Sequence, residues 1–210
     1  GCKGVLFFGT KKMLFYLQSS EQGKQARVVM GVASQWLKSD FYTQLRTEKQ
    51  LGYIVTAGVY PIYDVAGLFF VVQSPVAGPA PLNQQINGFI EESLSALPSV
   101  SVAQFEQFRR ALRLRLTEKP KNLWQQGERF WSDIHYRYSD FDSRDQLIAA
   151  LDALTFDVWR DHMQQMLSQN SRRGVWLYSV GQFKGQADMQ LPSIDDVQQF
   201  KANQAVKRFY

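Results

Sequence analysis

The hydrophobic period of the chain changes abruptly part-way through its first third, and that change constrains the fold more than any other feature. Val28, Val29, Val32, Ala33, Trp36, Leu37, Phe41 and Leu45 recur at three- and four-residue spacing, which lays one apolar stripe along a helix. Tyr53, Val55, Ala57 and Val59 then alternate with Ile54, Thr56, Gly58 and Tyr60, the period of a strand with at least one buried face. Gly52 follows Leu51, the last periodic leucine, and glycine best takes the left-handed backbone that ends a helix. The sequence therefore predicts a helix over 25–46, kinked near Ser39 and Asp40, a stop at Gly52, and a strand that Tyr53 opens.

Around this junction the rest of the chain reads as scaffold. Val5 to Phe8 and Met13 to Leu17 suit an entering strand or hairpin, and Pro61 turns the chain from the Tyr53 strand into Gly67–Gln73. Five consecutive apolar residues, Leu68 to Val72, predict a strand covered on both faces. Pro75 to Pro81 is a Pro, Ala and Gly loop, after which helical periods dominate. One runs from Leu82 to Leu97. A second carries Phe105, Phe108 and Leu112 behind a Ser101/Gln104 capping box and stops at Pro120. A third carries Leu123, Trp124, Phe130, Trp131 and Ile134. Ser143 with Gln146, and then Thr155, are placed to cap two more. Arg173 to Val180 reads as a late strand and the stretch from Gln182 as polar. Strands, a block of helices and a returning strand predict an α+β domain over 1–210, an antiparallel sheet with helices packed on one face.

Composition and motifs exclude more than they assign. No run of eighteen apolar residues occurs, so no membrane helix is predicted. The chain opens without methionine and without the succession of a secretory signal, which predicts a piece of a longer polypeptide whose targeting signal lies elsewhere. The lone Cys2 offers no internal disulfide. The net charge of +5 is spread out; its densest group, Arg109, Arg110, Arg113 and Arg115, reads as a solvated helix face with Glu106 one turn before Arg110. No nucleic-acid module accompanies it. His135 and His162 lie in different helices, and neither His-x-x-Glu-His nor His-Glu-x-x-His occurs, so the chain is expected to bind no metal of its own. Trp124, Trp131 and Trp159, at helical spacing, read as core.

What remains is Arg46 and Tyr53. The residues alone leave two readings open. Arg46 can neutralise a helix C-terminus while Tyr53 packs as a half-buried strand aromatic, or the cation and the phenol can serve a site.

Leu45-Arg-Thr-Glu-Lys-Gln-Leu-Gly-Tyr53, with Phe41 before it and Val55 after it, resembles the hallmark of the last domain of the pitrilysin and insulin-degrading enzyme family. Phe141-Asp-Ser-Arg-Asp145, leading into an apolar helix, resembles the pitrilysin branch in particular, and the similarity runs from about Met13 to about Val180. The resemblance implies the same layered α+β architecture and a clamshell of two halves closing on a peptide or small protein. It implies a zinc metalloendopeptidase whose zinc is held by the N-terminal half of the same polypeptide, with no cofactor on this domain. Arg46 and Tyr53 match the family's substrate-contacting arginine and tyrosine; Glu48 and Lys49 receive no role. This piece alone is expected to be inactive. The pitrilysin branch implies the periplasm, and the insulin-degrading relatives the cytoplasm. The rival expectation is a catalytically inactive relative serving as a peptide-binding or assembly module.

Overall fold

The computed structural model describes residues 2–4, 12–135, 142–189, 191, 193–194 and 196–203. The 5–8 segment, Phe141 of the second motif and the side chain of His135 lie outside the described residues.

The chain runs β1 (Cys2–Gly4), β2 (Lys12–Gln22), α1 (Gly23–Tyr42), a π-helical turn (Thr43–Glu48), β3 (Ile54–Val59) and β4 (Val65–Gln73). It continues as α2 (Pro79–Ala96), α3 (Val102–Thr117), α4 (Leu123–His135), α5 (Ser143–Ala153), α6 (Phe156–Leu167), β5 (Arg173–Tyr178), β6 (Ser193–Ile194) and α7 (Val197–Asn203). The sheet order is β3-β4-β2-β5-β1-β6. Its first four strands are antiparallel, as the α+β expectation requires, whereas β1 lies parallel to both β5 and β6. β6 and α7 fall in the C-terminal stretch that the sequence marks only as polar.

Register explains why helices take one face. Phe15 pairs with Phe70 and Trp176, and Phe70 with Ala57; Met13, Leu17, Val55, Leu68 and Val72 share that face, and all are buried. Helices α1, α2 and α6 pack against it. Phe41 of α1 meets Phe70 and Phe89 edge-on, with ring centroids 5.2 and 5.1 Å apart, while Trp159 of α6 gathers Trp36 and Phe105 at 5.5 Å each. Phe15 stacks on Trp176 at 4.0 Å, and Gly174 leaves its ring the room.

The expected double burial of Leu68–Val72 is not found. Leu68, Phe70 and Val72 are buried, but Phe69 and Val71 point to the opposite face and stay half-exposed beside Leu14 and Tyr16, because no helix layer covers that side among the described residues. Helix α2 also starts earlier than expected, at Pro79, since proline at the first helical position needs no partner for a missing N–H. The capping box of Ser101 and Gln104 forms as expected, and the Thr155 hydroxyl accepts from Val158 N–H. The N-cap position falls on Asp142 rather than Ser143; its carboxylate makes no cap bond to the backbone and accepts instead from the side-chain Nε2 of Gln146. Ser143 is already inside α5, and its hydroxyl donates to Asp133 of α4.

Helix α4 departs most from expectation. Trp159 is fully buried, but Trp124 and Trp131 are 76% and 69% exposed, with Leu123, Phe130 and Ile134 also open. The stripe is real as a helical period. The sheet face that would have received it is already occupied by α1, α2 and α6, so α4 lies outside the core layer. The arginines of α3 form a solvated face, but Glu106 pairs with Arg109 rather than Arg110, and Arg113 holds Asp152 through two hydrogen bonds.

This division predicts unequal penalties. Phe70→Ala should cost about 3–5 kcal/mol in chemical denaturation, while Trp124→Ala should stay within about 0.5 kcal/mol.

Candidate functional site

The helix that begins at Gly23 does not end in a glycine cap. After Tyr42 the backbone widens into the π-turn, where Lys49 N–H reaches the Gln44 carbonyl and Leu51 N–H the Leu45 carbonyl, each at 2.9 Å. No break occurs at Ser39 and Asp40, so the expected kink is absent and the chain departs from α geometry four residues later. The left-handed residue is Gln50, at φ 50°, and Gly52 is not left-handed. Gly52 has a different reason to be glycine: a Cβ there would fall 2.2 Å from the Gln73 carbonyl oxygen, so only a bare backbone fits where the incoming strand meets the end of β4.

Arg46 and Tyr53 sit on either side of this contact. Arg46, half-buried in the π-turn, donates through Nη1 to the Gly52 carbonyl at 2.5 Å and so ties the end of the helix to the peptide that leads into Tyr53. Four of its five N–H donors are left for other acceptors. Tyr53 stands one residue ahead of β3 and is 54% exposed. Its hydroxyl accepts from Gln73 Nε2, which leaves its own proton to be donated elsewhere. Leu45 beneath is fully buried and anchors the turn to the core. Tyr53 is thus an exposed aromatic one residue ahead of the strand, while Arg46 is the basic residue of the last turn, where it can also neutralise the helix end.

Two participants escaped the sequence reading. Gln73 is 5% exposed and holds the phenol, yet in the sequence it is only the polar residue that ends an apolar run. The π-turn has no period of its own in six residues, so nothing in Thr43–Glu48 announces it.

The histidines give no ligand set. His162 is 7% exposed, 3.2 Å from the Ser19 hydroxyl through Nε2 and 3.5 Å from a Glu21 carboxylate oxygen through Nδ1. Burial pushes its pKa below the ordinary value and Glu21 pulls the other way. Among the described residues no three His, Cys, Asp or Glu side chains converge as metal ligands. No helix among them is long and apolar enough to cross a membrane.

Comparison with known proteins decides the kinship. The model of the PqqF-like PQQ synthase C-terminal lobe, domain 4, matches residues 32–131. Insulin-degrading enzyme of Drosophila melanogaster is 28% identical over 169 residues, 80% of this chain and 17% of the relative. Protease 3 of Salmonella typhi is 29% identical over 153 residues, 73% of this chain and 16% of the relative. The chain has homologues in the pitrilysin and insulin-degrading enzyme family and fits its C-terminal domain. It spans about a sixth of the length of these curated relatives. Crystalline pitrilysin shares the fold, with a TM-score of 0.81 at 22% identity, over 96% of this chain and 22% of that one. The match to the family model contains the whole junction from Phe41 to Gln73, including Arg46, Gly52 and Tyr53.

Two outcomes follow for Gly52 and His162. Gly52→Ala should lose about 1–3 kcal/mol in denaturation, because its Cβ meets backbone that cannot swing aside. His162, held neutral by burial, contributes stability that is whole above the unfolded value of 6.5 and is lost as pH falls from there toward the lower folded value. His162→Gln should therefore flatten the loss of stability between about pH 7 and pH 5 in denaturation at stepped pH.

Proposed function

We propose that this chain is the C-terminal domain of a zinc metalloendopeptidase, and that Arg46 and Tyr53 complete an active site whose metal another domain of the same polypeptide holds. The described residues of this chain do not fit a zinc ion, since no ligand cluster forms and the ring of His162 is already engaged by Ser19 and Glu21. Its contribution is therefore to bind and orient the peptide that is cut.

The observation that carries the reading is the state of the Tyr53 phenol. It is exposed, it is fixed by a hydrogen bond from Gln73, and its proton is not used in that bond. A phenol held this way can donate to a peptide carbonyl oxygen as that oxygen gains charge, with no reorientation at the moment of reaction. Arg46, locked to the Gly52 carbonyl, keeps a planar fork of donors beside it for a neighbouring carbonyl or carboxylate of the substrate. A π-turn in a long helix is rare and recurs at functional sites, and here it carries Arg46 itself. The substrate class that fits is a peptide or small protein. By likeness to the pitrilysin branch, the compartment would be the periplasm.

In the full-length protein, Tyr53→Phe should lower kcat/KM for peptide cleavage on the order of 100-fold, with only a small drop in thermal stability from the unpaired Gln73 amide. Arg46→Ala should lower it as well, with partial recovery in Arg46→Lys. Rates within about twofold of the parent for Tyr53→Phe would remove the phenol from the reaction. An uncleaved peptide that the parent protein binds would support the rival reading of a binding module.

A further inference from the structure

The sheet ends at β3, and that edge is unlike a protected one. Exposed edges are normally blunted by charge, proline, bulges or brevity, because their free N–H and C=O groups invite another strand. Ile54-Val-Thr-Ala-Gly-Val59 carries no charge and no proline, and its register against β4 runs unbroken from Ile54 opposite Gln73 to Val59 opposite Leu68. Tyr60 N–H donates to the Gly67 carbonyl at 3.0 Å. By the alternation of an antiparallel ladder, the backbone groups of residues 54, 56 and 58 then face β4, while those of Val55, Ala57 and Val59 face away from it. No strand lies beyond β3 among the described residues.

What lies beside the edge is a groove of about 530 Å³, lined by Thr56 to Val59 and Pro61 on one side and by α1, α3 and α5 on the other. Arg27 and Lys38 of α1 and Arg115 of α3 face into it, and no Asp or Glu is among its lining residues. Phe69, Leu112 and Leu147 add apolar lining. Gly58 keeps the strand itself low: a Cβ there would come 2.8 Å from the Phe69 ring, so the aromatic lies across the glycine. Past Arg27, Arg115, Leu116 and Leu147 lies a second hollow of about 260 Å³ toward Phe130 of α4, of mixed charge, lined by Glu118 and Asp133 as well as Arg129 and Arg144.

We propose that β3 and this groove form a binding site for an extended acidic peptide, which adds to the sheet as a further strand and sets its carboxylates against Lys38 and Arg115. Main-chain hydrogen bonds to Val55, Ala57 and Val59 give affinity without regard to sequence. These two cations, in a concave surface with apolar walls, supply the preference for negative side chains. A second copy of this chain is disfavoured as the occupant, since it would bring its own cationic wall against this one. The site stands apart from the peptidase reading, because it needs only binding.

The probe is a labelled peptide of alternating glutamate and threonine, about as long as β3, titrated against the full-length protein by fluorescence anisotropy. The glutamate peptide should bind at least roughly tenfold more tightly than its lysine counterpart. N-methylation of alternate residues should abolish binding in the register that faces β3 and leave it intact in the other. Lys38→Glu combined with Arg115→Glu should weaken binding by roughly tenfold or more, whether or not the protein cleaves peptides. Absence of binding, equal binding of the lysine peptide, indifference to both N-methylated registers, or no effect of the two charge reversals would each overturn the proposal. So would association of the protein with itself through this edge.

Discussion

The structure depends on one close approach. Gly52 passes so near the Gln73 carbonyl that no side chain fits between them, and this contact brings the end of the helical segment against the end of β4. From it follow the hydrogen bond of Arg46 to Gly52 and that of Gln73 to Tyr53. Both are made by residues that can reach only because the backbone arrives here without a Cβ in the way. The π-turn is the other half of the arrangement. By widening the helix after Tyr42 it delivers Leu45 into the core and Arg46 toward the corner together, which an α-helical continuation would turn to different azimuths.

Packing supplies the rigidity that such a corner needs. Phe41, in the last turn before the widening, is locked between Phe70 and Phe89, and Phe70 lies on the same strand as Gln73. The residue that steadies the helix end thus packs on the strand that ends in the residue holding the phenol. A site built on packed elements in this way keeps its donors oriented before a ligand arrives, which is what electrostatic stabilisation of a developing charge requires. On the far side of the same strand pair the backbone of β3 is left open, so one short hairpin presents both a fixed phenol and an unpaired edge.

How much of this was legible depends on whether a feature has a period or a contact as its cause. The α1 stripe, the β3 alternation, the Ser101 box and the Thr155 cap are local, and the structure contains each of them within a few residues of its expected bounds. Gly52 was singled out correctly but for the wrong physics: its neighbour across the sheet is 21 residues away in sequence, and no local pattern reveals a close approach. Gln73 was missed for the same reason. Trp124 and Trp131 show the converse failure, a true helical stripe whose partner surface was already taken by α1, α2 and α6. Kinship was readable from the Leu45–Tyr53 motif, and the match of residues 32–131 to the PqqF-like domain agrees with it.

The central claim is that a phenol held at the corner between helix and strand touches the peptide being cut. A crystal structure of the full-length protein with a non-cleavable peptide analogue bound tests it most directly. The account predicts the Tyr53 hydroxyl within about 3.0 Å of a peptide carbonyl oxygen at the position to be cleaved, with Gln73 still donating to the phenol from behind. A peptide seated against the metal-bearing domain with Tyr53 and Arg46 facing only solvent or protein would contradict it.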